Sequence, residues 1–372
     1  MNAYRRFRFD IPLFLGTLLL VVIGVIMVFS SSGLLAGDLY GQPFYFMIQQ
    51  IVGAAAGFAV VGVLLSVKKP FILHPVFVYG LLAVTGFLLT VCLAMPSIAH
   101  THRWIVFMGF RFQPSELAKI SLVLFFAYIC ETRKDSLNRW KTLTFPLGVL
   151  AGFVLLVLLE PDFGTALMLT GLACLVLFVG GVKIRRFLVV GAVGLVLFTI
   201  FLFSASYRLS RVQGFLASGG DPQGKGYQVR QSKVAVGSGG LIGVSLGQST
   251  QKLYYLPSAH TDFIFAILGE EAGLVGTVVT VFLFGLLLWR GLKISIEAPD
   301  PGLKMAAAGL TFVLVVQALL NISVVLGLGP TKGTPLPFLS YGRSSLLCSL
   351  ASVGLLLHIS QLRNGLKRTA GT

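Results

Sequence analysis

The sequence predicts an all-α polytopic membrane protein with ten transmembrane helices and both termini on the cytoplasmic side. Three observations carry that reading. Of 372 residues, 56% are hydrophobic and only 11% charged, with mean hydropathy +0.89, against about 25% charged in soluble domains. Apolar runs long enough to cross about 30 Å of hydrocarbon recur along the whole chain. Between them, Lys and Arg gather in short runs such as Arg5-Arg6-Phe7-Arg8, Lys68-Lys69 and Lys183-Ile184-Arg185-Arg186, the pattern of loops facing anionic headgroups. The net charge of +16 is thus spread over loops rather than along one stripe, and nucleic acid is not an expected partner.

The spans follow in order. The first, 11–31, is too long for the apolar core of a signal peptide. Next come 44–66, 72–95 and 113–131, the last opened by Pro114, a residue suited to a first helical turn. Spans 143–160 and 163–182 are parted only by Glu160-Pro161-Asp162 and read as a tight helical hairpin, since one uninterrupted run would be far too long. The runs 187–205, 262–289, 304–327 and 343–362 complete the ten. With the N-terminus inside, cytoplasmic segments hold 18 of the 29 Lys and Arg, and the short loops opposite are nearly free of them. Segment 206–261 is then one large extracytoplasmic loop, longer than connectors usually are. It is rich in glycine yet keeps apolar residues at helical spacing over 227–235, which predicts short amphipathic helices on the membrane surface. Cys92, Cys130, Cys174 and Cys348 lie in or at the end of spans without paired spacing and read as small buried hydrophobes.

Acids are scarce, thirteen in all, so one at a membrane boundary is a functional candidate. Asp262 stands in Leu256-Pro257-Ser258-Ala259-His260-Thr261-Asp262-Phe263, at the start of the eighth span. Partial burial would make it a general base; a helix N-cap at Thr261 or Asp262 is an equally supported reading. Arg103 and Arg111 suit bidentate phosphate binding, and Trp104 suits an interface anchor. Glu116 and Lys119, three apart on one helical face, read first as an intramembrane ion pair. Glu160 and Asp162 read first as a turn with a cap, and only secondarily as ligands of a divalent cation. Glu270 and Glu271, inside a span, need Lys or Arg partners. From Gly329 to Ser345 the prolines and glycines forbid a continuous helix, which predicts irregular backbone packed in protein or lining a wet cavity, with Lys332 and Arg343 as cations. There is no Walker A loop, metal-ligand spacing or nucleophile elbow.

Several of these segments together resemble the SEDS family (shape, elongation, division and sporulation proteins) over nearly the whole chain. The carrying motifs are Arg103-Trp104-Ile105, Gln113-Pro114-Ser115-Glu116-Leu117-Ala118-Lys119, Glu160-Pro161-Asp162-Phe163-Gly164-Thr165, Gly226-Tyr227-Gln228 with Gln231-Ser232, the segment around Asp262, Gly269-Glu270-Glu271, and Pro330-Thr331-Lys332-Gly333 through Ser340-Tyr341-Gly342. Gln248-Ser249-Thr250-Gln251-Lys252-Leu253 tilts the resemblance to the division branch, with the sporulation branch equally compatible. The resemblance implies a peptidoglycan glycosyltransferase of the bacterial cytoplasmic (inner) membrane, at the division septum. It implies polymerisation of lipid II into a nascent glycan strand carrying undecaprenyl diphosphate. A class B penicillin-binding transpeptidase and other membrane proteins of the division machinery are the implied partners. One departure is visible: the family reads Ser-Tyr-Gly-Gly-Ser-Ser where this chain has Arg343 in the fourth place.

The family's essential Asp falls on Asp262, the expected base for the acceptor's sugar 4-hydroxyl. Arg103, Trp104, Arg111, Glu116, Lys119, Asp162, Gln231, Ser232, Lys252, His260, Lys332 and Ser340 are the substrate-binding candidates. Cations are needed to hold the diphosphate leaving group; no resident cofactor is read, and a divalent ion (Mg or Mn) is compatible with the chemistry. A lipid II flippase and a scaffold that recruits the transpeptidase are the rival readings.

Overall fold

The computed structural model describes residues 9–67, 71–95, 102–107, 110–203, 226–253, 255–329 and 333–369. A helix occupies each expected span: α1 (Ile11–Tyr40), α2 (Tyr45–Ser66), α3 (Pro75–Ala94), α4 (Pro114–Thr132), α5 (Trp140–Leu159), α6 (Phe163–Val179), α7 (Ile184–Phe203), α9 (Ile264–Glu297), α10 (Pro301–Val325) and α11 (Arg343–Thr369). A further helix, α8 (Tyr227–Ser238), lies in the long loop. Among the described residues, α1, α2, α3, α5, α9, α10 and α11 are long and apolar enough to cross a membrane; α6 is equally apolar but 17 residues long. The architecture is a mostly helical, polytopic one.

Local chemistry sets the ends. Asp10 caps α1 by accepting from Leu13 N–H at 3.1 Å, and α1 runs on to Tyr40, nine residues past the expected end, until Gly41 turns left-handed at φ 65°. Prolines open α3, α4 and α10, where a missing N–H is harmless. The sequence did not predict a short hairpin before α4: β1 (Ile105–Phe107) pairs antiparallel with β2 (Phe110–Phe112), Val106 facing Arg111. Three-residue strands are too short to show a period of two.

Three helices form the centre. α4 packs against α3, α6, α10 and α11, and α2 lies along α11. α10 and α11 are the most enclosed of the long helices. α1 bridges α2 and α9. At one end of the molecule Arg290 of α9 grips both carboxylate oxygens of Asp10, at 3.0 and 2.5 Å, while Asp10 N–H donates to Ser360 of α11. The hairpin β1–β2, the α5–α6 turn and the segment before α9 lie at the opposite end.

α9 is not one smooth helix. Gly273 breaks it with φ 62° and ψ −158°, and the freed amides of Leu274 and Val275 donate to the carbonyls of Gly240 and Leu241 at 3.0 and 3.1 Å. A Cβ at Gly273 would collide with the backbone of Gly243 and Leu241. The stretch after α8 is thus stitched into the break. α8 itself does not lie free on a surface as expected: it packs against α9 and α10, and Ser232, fully buried, donates to Val325 O at 2.8 Å.

Candidate functional site

The site is assembled around Asp262. The helix cap read as an alternative for Thr261 or Asp262 does not form: the N-cap of α9 is Phe263, and no side chain bonds it. Asp262 is instead a half-buried carboxylate in the turn before α9. Its Oδ2 lies against Gly333, where an added Cβ would sit 3.4 Å away. Burial pushes its pKa up to about 6, and the neighbouring positive charge of Arg103 opposes that shift.

Arg103 joins three segments. Its Nε donates to Glu160 O at 3.2 Å, its Nη2 to Pro161 O, and its Nη1 stands 3.8 Å from Asp162 Oδ2. The guanidinium thus ties the strand leading into β1 to the α5–α6 turn while its charge acts on Asp262. Asp162 caps α6, accepting from Thr165 N–H and hydroxyl at 3.1 and 2.9 Å, as the turn reading expected. Glu160 is wholly buried and, among the described residues, neither carboxylate oxygen has a hydrogen-bond partner. Burial, with the nearby charge of Asp162, lifts its pKa to about 8, against the pull of Arg103.

The irregular backbone after α10 forms the floor beneath Asp262. Asn321 donates to Asp262 O and Thr334 O, both at 2.8 Å. One turn earlier on the same face, Gln317 donates to Pro335 O at 3.0 Å and accepts from Lys119 Nζ at 2.5 Å. Lys119 also pairs with Glu116 at 2.7 Å, both deeply buried. Ser340 donates to Thr261 O at 2.5 Å, and Tyr341 N–H donates to His260 O at 3.0 Å. Gln317 and Asn321 were missed from the sequence, although two amides spaced i, i+4 within an apolar span are a readable signal. The His260 ring packs between Phe46 and Tyr341, at centroid distances of 5.0 and 5.8 Å, and burial lowers its pKa.

The remaining candidates fall in three groups. Arg111 is exposed on β2, and Trp104 is half-buried just before β1. Gln231 is half-buried on α8. Lys252 does not stand ready for a diphosphate: its ammonium donates to Glu271 at 2.8 Å and Ser30 at 3.2 Å. Glu271 has the Lys partner expected of it, whereas Glu270 accepts from Thr250 N–H at 3.0 Å and from the Ser249 hydroxyl rather than from a Lys or Arg; together the two acids anchor the loop. Lys332 lies outside the described residues. Arg343 opens α11 with ordinary, negative-φ backbone and donates to Gln49 Oε1 at 2.8 Å. Among the described residues no three His, Cys, Asp or Glu side chains gather as a metal cage.

The fold and this polar site at the end of a helical bundle define a multi-pass membrane protein with a carboxylate–guanidinium centre. Residues 11–365 match the family described as cell cycle protein, FTSW_RODA_SPOVE, and the chain belongs to that family. It is 39% identical to the probable peptidoglycan glycosyltransferase FtsW of Geobacter sp. (strain M18), over 96% of this chain and 98% of that protein. It is 38% identical to stage V sporulation protein E of Bacillus subtilis (strain 168), over 95% and 97%. Among solved structures it is similar to a chain from work on the structural coordination of polymerization and crosslinking by a peptidoglycan synthase complex (TM-score 0.78, 30% identity, 95% of this chain, 98% of that one). It is also similar to the Rod shape determining protein RodA of Thermus thermophilus (TM-score 0.71, 27% identity, 95% and 97%).

Proposed function

We propose that the chain is a peptidoglycan glycosyltransferase that polymerises lipid II on the outer face of the cytoplasmic membrane, with Asp262 as general base. The observation that carries the assignment is the placement of Asp262: a desolvated carboxylate, held through its own carbonyl by Asn321, with Arg103 as its cationic neighbour. A base of this kind takes the proton from the acceptor's sugar 4-hydroxyl as that oxygen attacks the donor's anomeric carbon. The bond from that carbon to the diphosphate oxygen breaks, and undecaprenyl diphosphate leaves with the electron pair. The leaving group is already anionic, so cations serve it rather than an acid; Arg103 is the candidate beside Asp262. Glu116 and Lys119 act in this reading as positioning residues, because their ion pair reaches the loop only through Gln317. Among the described residues no cage for Mg or Mn forms.

All ten long helices crossing the membrane, an internal N-terminus, and the Asp262 end facing outward complete the proposal, supported by the distribution of Lys and Arg. A class B transpeptidase partner is supported by the likeness to a chain of a peptidoglycan synthase complex, and work at the division septum by the relatives called FtsW. Among the described residues, interrupted backbone stays in the C-terminal part, at Gly273, 326–329 and 333–342. Paired half-helices of the kind transporters repeat are not supported. The test is lipid II polymerisation by the purified protein with its transpeptidase partner. Asp262→Ala should lose about 100-fold or more, the usual worth of a general base. A rate within threefold of wild type, at about the resolution of such assays, would sink the base assignment.

A further inference from the structure

The N-terminus of α11 carries polar groups that the reaction at Asp262 leaves unused. Ser345, 6% exposed, has a buried hydroxyl with no hydrogen-bond partner among the described residues. Its Cβ lies 3.7 Å from the position a Cβ on Gly342 would take, within the first turn of the helix. α11 runs for 27 residues from Arg343, and its start presents amide hydrogens and the positive end of a helix dipole. Two guanidinium groups flank that end. Arg343 is its first residue, and Arg111 stands on β2, which packs against α11. Both charges act on the Tyr341 phenol. Oriented amides, a buried hydroxyl in want of a partner and two arginines are together the makings of a phosphate site.

We propose that Gly342, Arg343, Ser345 and Arg111 form a second diphosphate site, separate from the Arg103 centre beside Asp262. The need for two follows from the reaction proposed above, on which this inference rests. Donor and acceptor each bring a lipid-linked diphosphate, and Arg103 is already engaged by Asp162 and two carbonyls. Arg343 stands where the family pattern has glycine, so this chain should hold its second diphosphate more tightly than a chain with the family residue.

The test measures binding of farnesyl diphosphate to the full-length protein in phosphatidylcholine nanodiscs by calorimetry. Two sites are expected for wild type. Arg343→Gly restores the family residue at a backbone of ordinary conformation, so it should fold; it should weaken one site about tenfold, the order expected for losing one charge-assisted contact. Ser345→Ala should weaken the same site and leave the other unchanged, and Arg103→Gln should do the reverse. A single site, or two sites indifferent to Arg343→Gly and Ser345→Ala, would overturn the inference. Nanodiscs with phosphatidylglycerol separate the sources of phosphate: if that lipid displaces farnesyl diphosphate from the Arg343 site, the site takes bulk headgroups and the diphosphate assignment fails. If Asp262→Ala polymerises lipid II normally while both sites bind as expected, the catalytic reading fails and the binding site stands.

Discussion

Asp262 shows what one residue in a sequence can and cannot say. Its position at the start of a helix supported a cap and a base equally, and the helix dipole argued for a low pKa. Neither chemistry settles the matter until the loop 333–340 is seen to close over it: burial then outweighs the charge of Arg103. Because the base must be ionised, polymerisation should fall as pH drops through about 6. Arg103 lowers the Asp262 pKa, so Arg103→Gln should move that acidic limb to higher pH; a limb that stays in place would separate Arg103 from the base. Glu160 gives a stability prediction of opposite sense. Its folded pKa, about 8, lies above the ordinary 4.5, so its favourable contribution is complete below about 4.5 and is lost as pH rises through 8. Glu160→Gln should flatten the fall in melting temperature over that window; an unchanged slope would place the loss elsewhere. The pairing of Lys252 was not legible, because its partner Glu271 stands nineteen residues on, a contact no local pattern reveals.

Whole elements were far more legible. A helix stands at each of the ten expected spans because apolar length and proline punctuation are local properties. What was not legible was the non-local stitching: the hairpin ahead of α4, and the seating of α8 on α9 and α10. The Lys252–Glu271–Ser30 cluster pins the loop after α8 to α9 and α1. Lys252→Met would leave Glu271 charged and buried, and should destabilise the protein by roughly 3–5 kcal/mol. Pairing it with Glu271→Gln should recover much of that loss in a thermal melt in detergent. Additive losses in the double variant would show that the two residues do not interact.

At the scale of the molecule, the proposed membrane orientation rests on charge counting and is open to direct measurement. A cysteine at exposed Gln248 should react with an impermeant maleimide in intact cells. One at exposed Lys134 should react only after permeabilisation. The opposite pattern would invert the topology. The two sides also differ in how the bundle is held. Around Asp262 the contacts are largely bonds between side chains and loop carbonyls, as with Asn321, Gln317 and Ser340. The far end is fixed by the Asp10–Arg290 pair. Such carbonyl contacts depend on backbone course rather than residue type, which is why the sequence named the motifs at this end but not the geometry joining them.

The break at Gly273 has a consequence for how the protein meets lipids of different thickness. Residues 274–297 alone extend about 36 Å at 1.5 Å per residue, enough to cross about 30 Å of hydrocarbon. The ten residues before them, 264–273, are not needed for the crossing and are almost wholly enclosed by protein. In a thinner bilayer the long lower segment tilts. The upper one, bonded through Glu270 O to Val244 N–H and joined to Asp262, keeps its bearing. Polymerisation by this chain should therefore vary little between nanodiscs of shorter and longer acyl chains.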